Sequence, residues 1–251
     1  TGREFLPVRS ALGRILAADI VAPHDVPAHD NSAMDGYAVR FDTLPAAGEA
    51  RLAVVGTAFA GNAFSGIVGQ GQAVRIMTGA VLPAGADTVV VREAVRVEDG
   101  AVVVPPSQRK GQNTRLAGED LARGAVALPA GKRIGPAELG LIASLGVAEV
   151  EVRRRLRVAF FSTGDELASI GKPLAPGQVY DSNRYTLHGL LTRLGAEIID
   201  MGVVPDRPEA LEATLAEAAQ VADAIITTGG VSVGEADFVR EILGKLGEVR
   251  F

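Results

Sequence analysis

The residues of this chain that could do chemistry gather where short apolar runs break into turns. Ala224 to Thr228 is a β-branched run suited to a strand buried in a parallel sheet. It gives way to Gly229-Gly230, a hydroxyl at Ser232, another glycine at Gly234 and two acids, Glu235 and Asp237. Backbone amides freed by such glycines at the start of a helix suit phosphate or another oxyanion. Acids beside an anion make electrostatic sense when a cation lies between them. The end of this strand therefore reads as a metal-assisted anion site, followed by a helix with Phe238, Ile242, Leu243 and Leu246 on one face.

Three further clusters follow other strands. Ser162-Thr163-Gly164-Asp165-Glu166-Leu167 offers two hydroxyls and a glycine amide for phosphate, with Glu166 for a cation; it also fits a helix-capping turn. Tyr180-Asp181-Ser182-Asn183 precedes a leucine-striped helix and reads first as its N-cap. Asp206, in Val204-Pro205-Asp206, also fits a cap for the helix that Pro208 starts. What joins these turns is that Glu166, Asp206, Glu235 and Asp237 all follow successive strands, hence lie near one sheet edge. Upstream, Asp30 to Arg40 is polar and rich in turn formers, so it is a loop entering a strand at Tyr37. Ile76 to Ala80 is a strand ending in Thr78 and Gly79, and Arg115 to Leu121 presents Asp120; both also fit plain turns.

Two grammars position these clusters. In the first region, Val8, Leu12, Ile15 and Leu16 stand at helical spacing, predicting a helix over 8–18. Strands are predicted at 51–60, 73–77 and 88–91, with a hairpin over 95–104 around Asp99-Gly100. The glycine-punctuated links suit a small β-barrel or sandwich. Pro136 opens a helix that ends at Gly146. From Leu156 the pattern becomes strand–helix alternation: a strand at 156–161 and a long loop to Asn183. A helix follows with Leu187, Leu190, Leu191 and Leu194 inward, then a strand at 197–204 and a helix with Leu211 and Leu215 inward. The fold class expected is α/β: an open parallel sheet over 156–251, preceded by an elongated β-rich region with flanking helices. The N-terminal region is taken as 1–155, with helical or linker parts 1–27 and 108–155 around a β-rich insert 28–107.

Composition removes several function classes. A chain of 251 residues, 47% hydrophobic, is long enough for roughly two domains with real cores. A net charge of −5 argues against duplex DNA or an anionic membrane as partner. Without cysteine there are no disulfides, thiolate catalysis or cysteine zinc sites, and His24, His29 and His188 are scattered. No apolar run approaches the length of a membrane helix and no signal peptide is visible, so a cytoplasmic protein is expected. No dinucleotide fingerprint follows the first α/β strand, and no Walker A sequence is present. The chain starts at Thr1 and stops at Phe251 inside an apparent strand, which leads us to expect a piece of a longer protein.

Asp30 to Val39, Met77 to Ala80, Gly118 to Asp120, Ser162 to Leu167, Tyr180 to Asn183 and Thr227 to Phe238 resemble, in this order, the MoeA-type molybdopterin molybdenumtransferases. The animal relative is the E domain of gephyrin. Asn31 to Tyr37 together with Gly229 to Glu235 is a highly specific pair. The resemblance implies an α/β molybdopterin-binding domain and insertion of molybdenum from molybdate into adenylylated molybdopterin, with release of AMP and use of Mg²⁺. By resemblance, Asp35, Thr78, Asp120, Glu166, Asp206 and Asp237 are the catalytic set. Of these, Glu166, Asp206 and Asp237 handle cation or adenylate, Thr78 contacts ligand oxygens, and Asp35 and Asp120 orient groups. Ser162, Thr163, Gly164, Asp181, Ser182, Asn183, Gly229, Gly230, Ser232 and Gly234 hold the cofactor.

The resemblance also implies a homodimer with sites shared between chains. Partners would be a molybdopterin adenylyltransferase and other proteins of the cofactor pathway, with no nucleic acid and no membrane. Relatives continue past Phe251 into a Pro-Gly-Lys-Pro loop and a C-terminal β domain, whose basic residues are candidates for holding molybdate. This chain is expected to fold and bind pterin without completing turnover. Two alternatives stand beside this reading. One is a molybdopterin adenylyltransferase-like activity, disfavoured by the Asn31 to Tyr37 segment; the other is a non-catalytic molybdopterin-binding scaffold.

Overall fold

The computed structural model describes residues 2–229, 242–245 and 247–248. The chain divides into two compact units, Leu6–Val150 and Thr1–Phe5 with Glu151–Phe251.

The first unit is built on one six-stranded sheet. Its strands are β1 (Gly36–Val39), β2 (Ala50–Ala58), β3 (Gln72–Ile76), β4 (Thr88–Val91), β5 (Arg96–Glu98) and β6 (Ala101–Val104). Their spatial order is β4-β1-β3-β2-β6-β5, antiparallel throughout except for the parallel pair β2 and β3. The ladder has two ends, so of the small barrel or sandwich expected, the closed barrel does not form and the sheet is open. Both faces are apolar: Tyr37, Val39, Leu52, Ala73 and Val90 pack on one, and Ala38, Ala58, Val74, Ile76 and Val89 on the other. Strict alternation along β1 therefore feeds two cores at once, and all four of its residues are buried. The β5–β6 hairpin turns at Asp99 and Gly100, with φ of 48° and 75°, the positive pair that a two-residue turn requires.

The helix expected over 8–18 does not form. A single 3-10 turn spans Val8–Ser10, and Gly13 takes φ 77°. Beyond it the backbone is committed to pairing with 131–134: Gly13 N–H donates to Ile134 O, Leu16 N–H to Lys132 O, and Ile134 N–H to Arg14 O. Long-range pairing has overridden an apolar spacing that matched a helix by coincidence. Of the helical or linker part taken as 1–27, the helix at 8–18 is thereby corrected to a 3-10 turn and extended backbone. Within the first unit's described residues the α-helix is α1 (Pro136–Ser144), with Pro136 in its first turn and Glu138 accepting from the Gly135 N–H.

The second unit carries three parallel strands, β7 (Arg157–Thr163), β8 (Glu197–Val204) and β9 (Ala224–Thr228), in the order β8-β7-β9. Two helices connect them, α2 (Ser182–Leu194) and α3 (Pro208–Val221). Leu187 and Leu191 pack with Val158, Phe160 and Ile226 on one face, and Leu211 and Leu215 with Phe161 and Ile225 on the other. Central β7 is thus buried from Val158 to Thr163, as an apolar run covered on both sides should be. One detail differs from the sequence expectation. Leu190 and Leu194 are 44% and 79% exposed, because α2 meets the sheet along the narrower stripe of Leu187 and Leu191. The helix expected around Phe238 to Leu246 lies mostly outside the described residues; 242–245 are helical and Ile242 is buried.

Candidate functional site

In the first unit, Asp35 stands immediately before β1 and Thr78 in the turn after β3. Because β1 and β3 are antiparallel neighbours, with Gly36 opposite Ile76, residues 43 apart in sequence meet at the sheet edge. Asp35 Oδ1 accepts hydrogen bonds from the Thr78 N–H and the Thr78 hydroxyl, each at 2.7 Å. These two bonds, then the nearby guanidiniums of Arg75 and Arg92, hold the Asp35 carboxyl below its usual range. Gly36 is required beside it: a Cβ there would run into the Val90 carbonyl oxygen of β4. Asp120 is held differently, by the Arg115 guanidinium, which also takes Glu119. Arg115 and Thr114 pair with Asn31 and Ser32, and Ala117 N–H donates to Asp30 Oδ1, so the Asp120 turn is knitted to the loop that leads to Asp35.

In the second unit, register brings the strand ends level. Thr163 is opposite Val204 and Ser162 opposite Thr228, so Gly164, Asp206 and Gly229 all leave the sheet at its carboxyl edge. This is where an open parallel sheet places ligands. Alternation sorts the hydroxyls. Ser162 and Thr228 point to the α2 side with Phe160, bonded to each other at 2.9 Å, while Thr163 and Thr227 share the α3 side with Phe161. Thr163 is buried, and its Oγ1 and that of Thr227 find no partner among the described residues. Gly229, at φ 98°, sits against the Thr163 carbonyl oxygen, where a Cβ could not fit.

The long loop from Gly164 to Asp181 is tied at both ends. Leu167–Ala168 pairs in parallel with Val179–Tyr180; Val179 N–H donates to Glu166 O, and Asp181 N–H to Ala168 O. The turn at Glu166 is thereby brought alongside the start of α2. Asp181 is the α2 N-cap, accepting from Arg184 N–H at 3.1 Å, with Ser182 and Asn183 in the first turn. Its other oxygen, Oδ2, is buried without a partner among the described residues. Asp206 does not cap α3, whose N-cap is Arg207 with no side-chain bond. Its Oδ1 is likewise buried and unpartnered among the described residues. Buried, unsatisfied polar atoms at one sheet edge are costly unless something else satisfies them. Gly230, Ser232, Gly234 and Asp237 lie outside the described residues.

The orphaned Asp206 Oδ1 is the donor type that an oxygen-seeking cation such as Mg²⁺ uses. Among the described residues no group of three or more acids or histidines could hold a metal on its own, so Glu166 and Asp206 fit such an ion only as part of a larger set. No helix among the described residues is long and apolar enough to cross a membrane. Arg75 and Arg92, whose charges bear on Asp35, were not anticipated. The available signal was their strand position: Arg75 is opposite Tyr37, two residues from Asp35, and Arg92 follows the Val91 that pairs with Gly36.

Two family models match. One, described as MoeA N-terminal region (domain I and II), covers residues 1–146; the other, described as probable molybdopterin binding domain, covers residues 159–251. The molybdopterin molybdenumtransferase of Haemophilus influenzae is 47% identical over 100% of this chain and 62% of its own length. That of Nostoc sp. is 43% identical over 97% of this chain and 57% of its own. Two solved structures of the molybdopterin biosynthesis MoeA protein from Pyrococcus horikoshii superpose with TM-scores of 0.89 and 0.84. They are 36% and 34% identical, covering 99% and 91% of this chain and 63% and 62% of theirs. The chain belongs to the MoeA family. It spans less than two thirds of the length of these relatives.

Proposed function

We propose that this protein acts in molybdenum cofactor biosynthesis, inserting molybdenum from molybdate into adenylylated molybdopterin and releasing AMP. The observation that carries the reading is the gathering of Thr163, Asp206 and Gly229 at one carboxyl sheet edge in a chain whose relatives are molybdopterin molybdenumtransferases. Both substrates are anions, and a phosphoanhydride bond must break. The turns at Gly164 and Gly229 supply backbone amides, and Ser162, Thr163, Ser182 and Asn183 supply side-chain polar groups, that orient phosphates. Asp181 fixes the start of α2, whose free N–H groups favour negative charge.

Mg²⁺ belongs to the same proposal, held by Glu166 and Asp206 with Asp237. When bound it would offset the charge of the two anions and polarise the phosphoryl group. Asp35 and Thr78 act as one hydrogen-bonded unit that orients ligand oxygens, and Asp120 is steadied by Arg115. The adenylyltransferase alternative is not favoured, because the relatives share the first unit as well as the second. A homodimer, a cytoplasmic setting and contact with a molybdopterin adenylyltransferase complete the reading; sedimentation analysis tests the first of these.

The direct test is equilibrium binding of adenylylated molybdopterin, with and without Mg²⁺. One molecule per chain is expected, bound more weakly without Mg²⁺ and in Asp206→Asn. Absence of binding under all conditions would remove the proposed role of the second unit.

A further inference from the structure

The surroundings of Asp35 carry more positive charge than a simple carboxylate clamp needs. Asp35, Gly36, Tyr37, Arg75, Ile76, Met77 and Arg92 line one small recess of about 10 Å³. Alternation along β1 sends Asp35 and Tyr37 to one face. Arg75 is opposite Tyr37 on β3, and Arg92 lies past β4 with its N–H donating to Asp35 O at 3.1 Å. The two arginines therefore flank the carboxylate from the strands on either side of it.

Neither guanidinium makes a side-chain hydrogen bond or an ion pair within 4 Å among the described residues, and both are exposed. Elsewhere in this unit, Arg96 and Arg115 are each committed to two acids. Asp35 Oδ1 accepts both Thr78 bonds, and its single negative charge can offset only one of the two positive charges beside it. Two cations and one carboxylate leave a net positive recess lined by both arginines, and arginine forks match the oxygens of phosphate-like anions. The volume is that of about one water, which suits a single oxygen of a larger oxyanion whose remaining atoms lie against the exposed guanidiniums.

We infer that Arg75 and Arg92, set in place around the Asp35–Thr78 pair, form a subsite for a tetrahedral oxyanion. The inference deepens the proposed function, which brings two such groups to this protein: free molybdate and the phosphoryl group of the adenylate. Asp35 organises the recess, and the arginines contact the anion. Both are binding residues that the family resemblance does not assign.

The experiment is calorimetric titration of this chain at low ionic strength with two probes, sodium molybdate and AMP. The proteins compared are the natural sequence, Arg75→Gln, Arg92→Gln and a charge-matched control, Arg51→Gln, on β2. Each recess variant should weaken binding of at least one probe by roughly tenfold or more, as loss of a charge-assisted bond does, while the control stays within about twofold. A loss confined to molybdate assigns the subsite to the free oxyanion, and a loss confined to AMP assigns it to the phosphoryl group. Recess variants that bind both probes like the natural sequence, a control that loses as much as they do, or no binding of either probe to any form would overturn the inference. These titrations need no adenylylated molybdopterin, so the subsite can fail while cofactor synthesis stands, and the reverse.

Discussion

Asp35 and Thr78 form a two-bond clamp in which a single carboxylate oxygen accepts both the backbone N–H and the hydroxyl of one residue, each at 2.7 Å. The clamp lowers the Asp35 pKa from its ordinary 3.8, so its stabilising effect is fully present above that value and is lost as pH falls through the lower folded value. Thr78→Val removes one of the two donors and keeps the shape. The Asp35 titration, followed by carboxyl carbon NMR, should move upward in this variant; an unchanged midpoint would mean that the hydroxyl contributes nothing.

Asp223 ties the start of β9 to the chain before β7. It takes a two-pronged pair from Arg154, at 2.7 and 2.8 Å, and the Arg157 N–H at 2.8 Å. The Arg154 bonds are the main reason its carboxyl lies well below the usual range. Its contribution should hold above the ordinary value of 3.8 and disappear only as pH falls through the depressed folded value. Urea unfolding midpoints taken from neutral to strongly acidic pH should fall less steeply in Asp223→Asn, from a lower start. Parallel curves for the two proteins would contradict this account.

Gly229 is a backbone requirement before it is a ligand contact. Its φ of 98° and its approach to the Thr163 carbonyl leave no room for a side chain. Gly229→Ala should cost more than about 1 kcal/mol in denaturant unfolding, beyond the usual gain from reducing chain entropy. Stability equal to the natural sequence would show that the strand end relaxes freely.

Asp181 serves α2 as its N-cap through Oδ1 while Oδ2 stays unpartnered among the described residues. Removing a cap costs about 1 kcal/mol, so Asp181→Ala should lower stability by that order and Asp181→Ser should restore most of it. Ligand binding should separate the two roles. A serine that restores both stability and adenylylated-molybdopterin affinity would leave the second oxygen without a function.

Much of the α/β unit was legible because its strands are short β-branched runs with turn residues at both ends; 197–204 and 224–228 carry the expected boundaries, as does 88–91 in the first unit. The Asp99-Gly100 turn was equally plain, since few residue pairs accept two positive φ angles. What a linear pattern could not reveal was partnership. Residues 13–16 looked helical because their spacing ignores the 131–134 segment that claims their backbone. The short parallel pair 167–168 with 179–180, hidden in an apparent loop, needs long-range hydrogen bonds to exist at all. Asp35 and Thr78 were picked out singly, but their bond and the flanking Arg75 and Arg92 follow only from the β4-β1-β3 order. Asp206 read equally well as a helix cap until α3 was seen to begin without one.

The central claim is molybdenum insertion, and molybdate-dependent AMP release from adenylylated molybdopterin measures it most directly. In the presence of Mg²⁺ the full-length protein, which extends beyond this chain as its relatives do, should release one AMP per molybdopterin only when molybdate is added, with Asp35→Ala, Asp206→Asn and Asp237→Asn each reducing the rate by roughly tenfold or more. AMP release that ignores molybdate, or production of adenylylated molybdopterin from molybdopterin and ATP instead, would contradict the account.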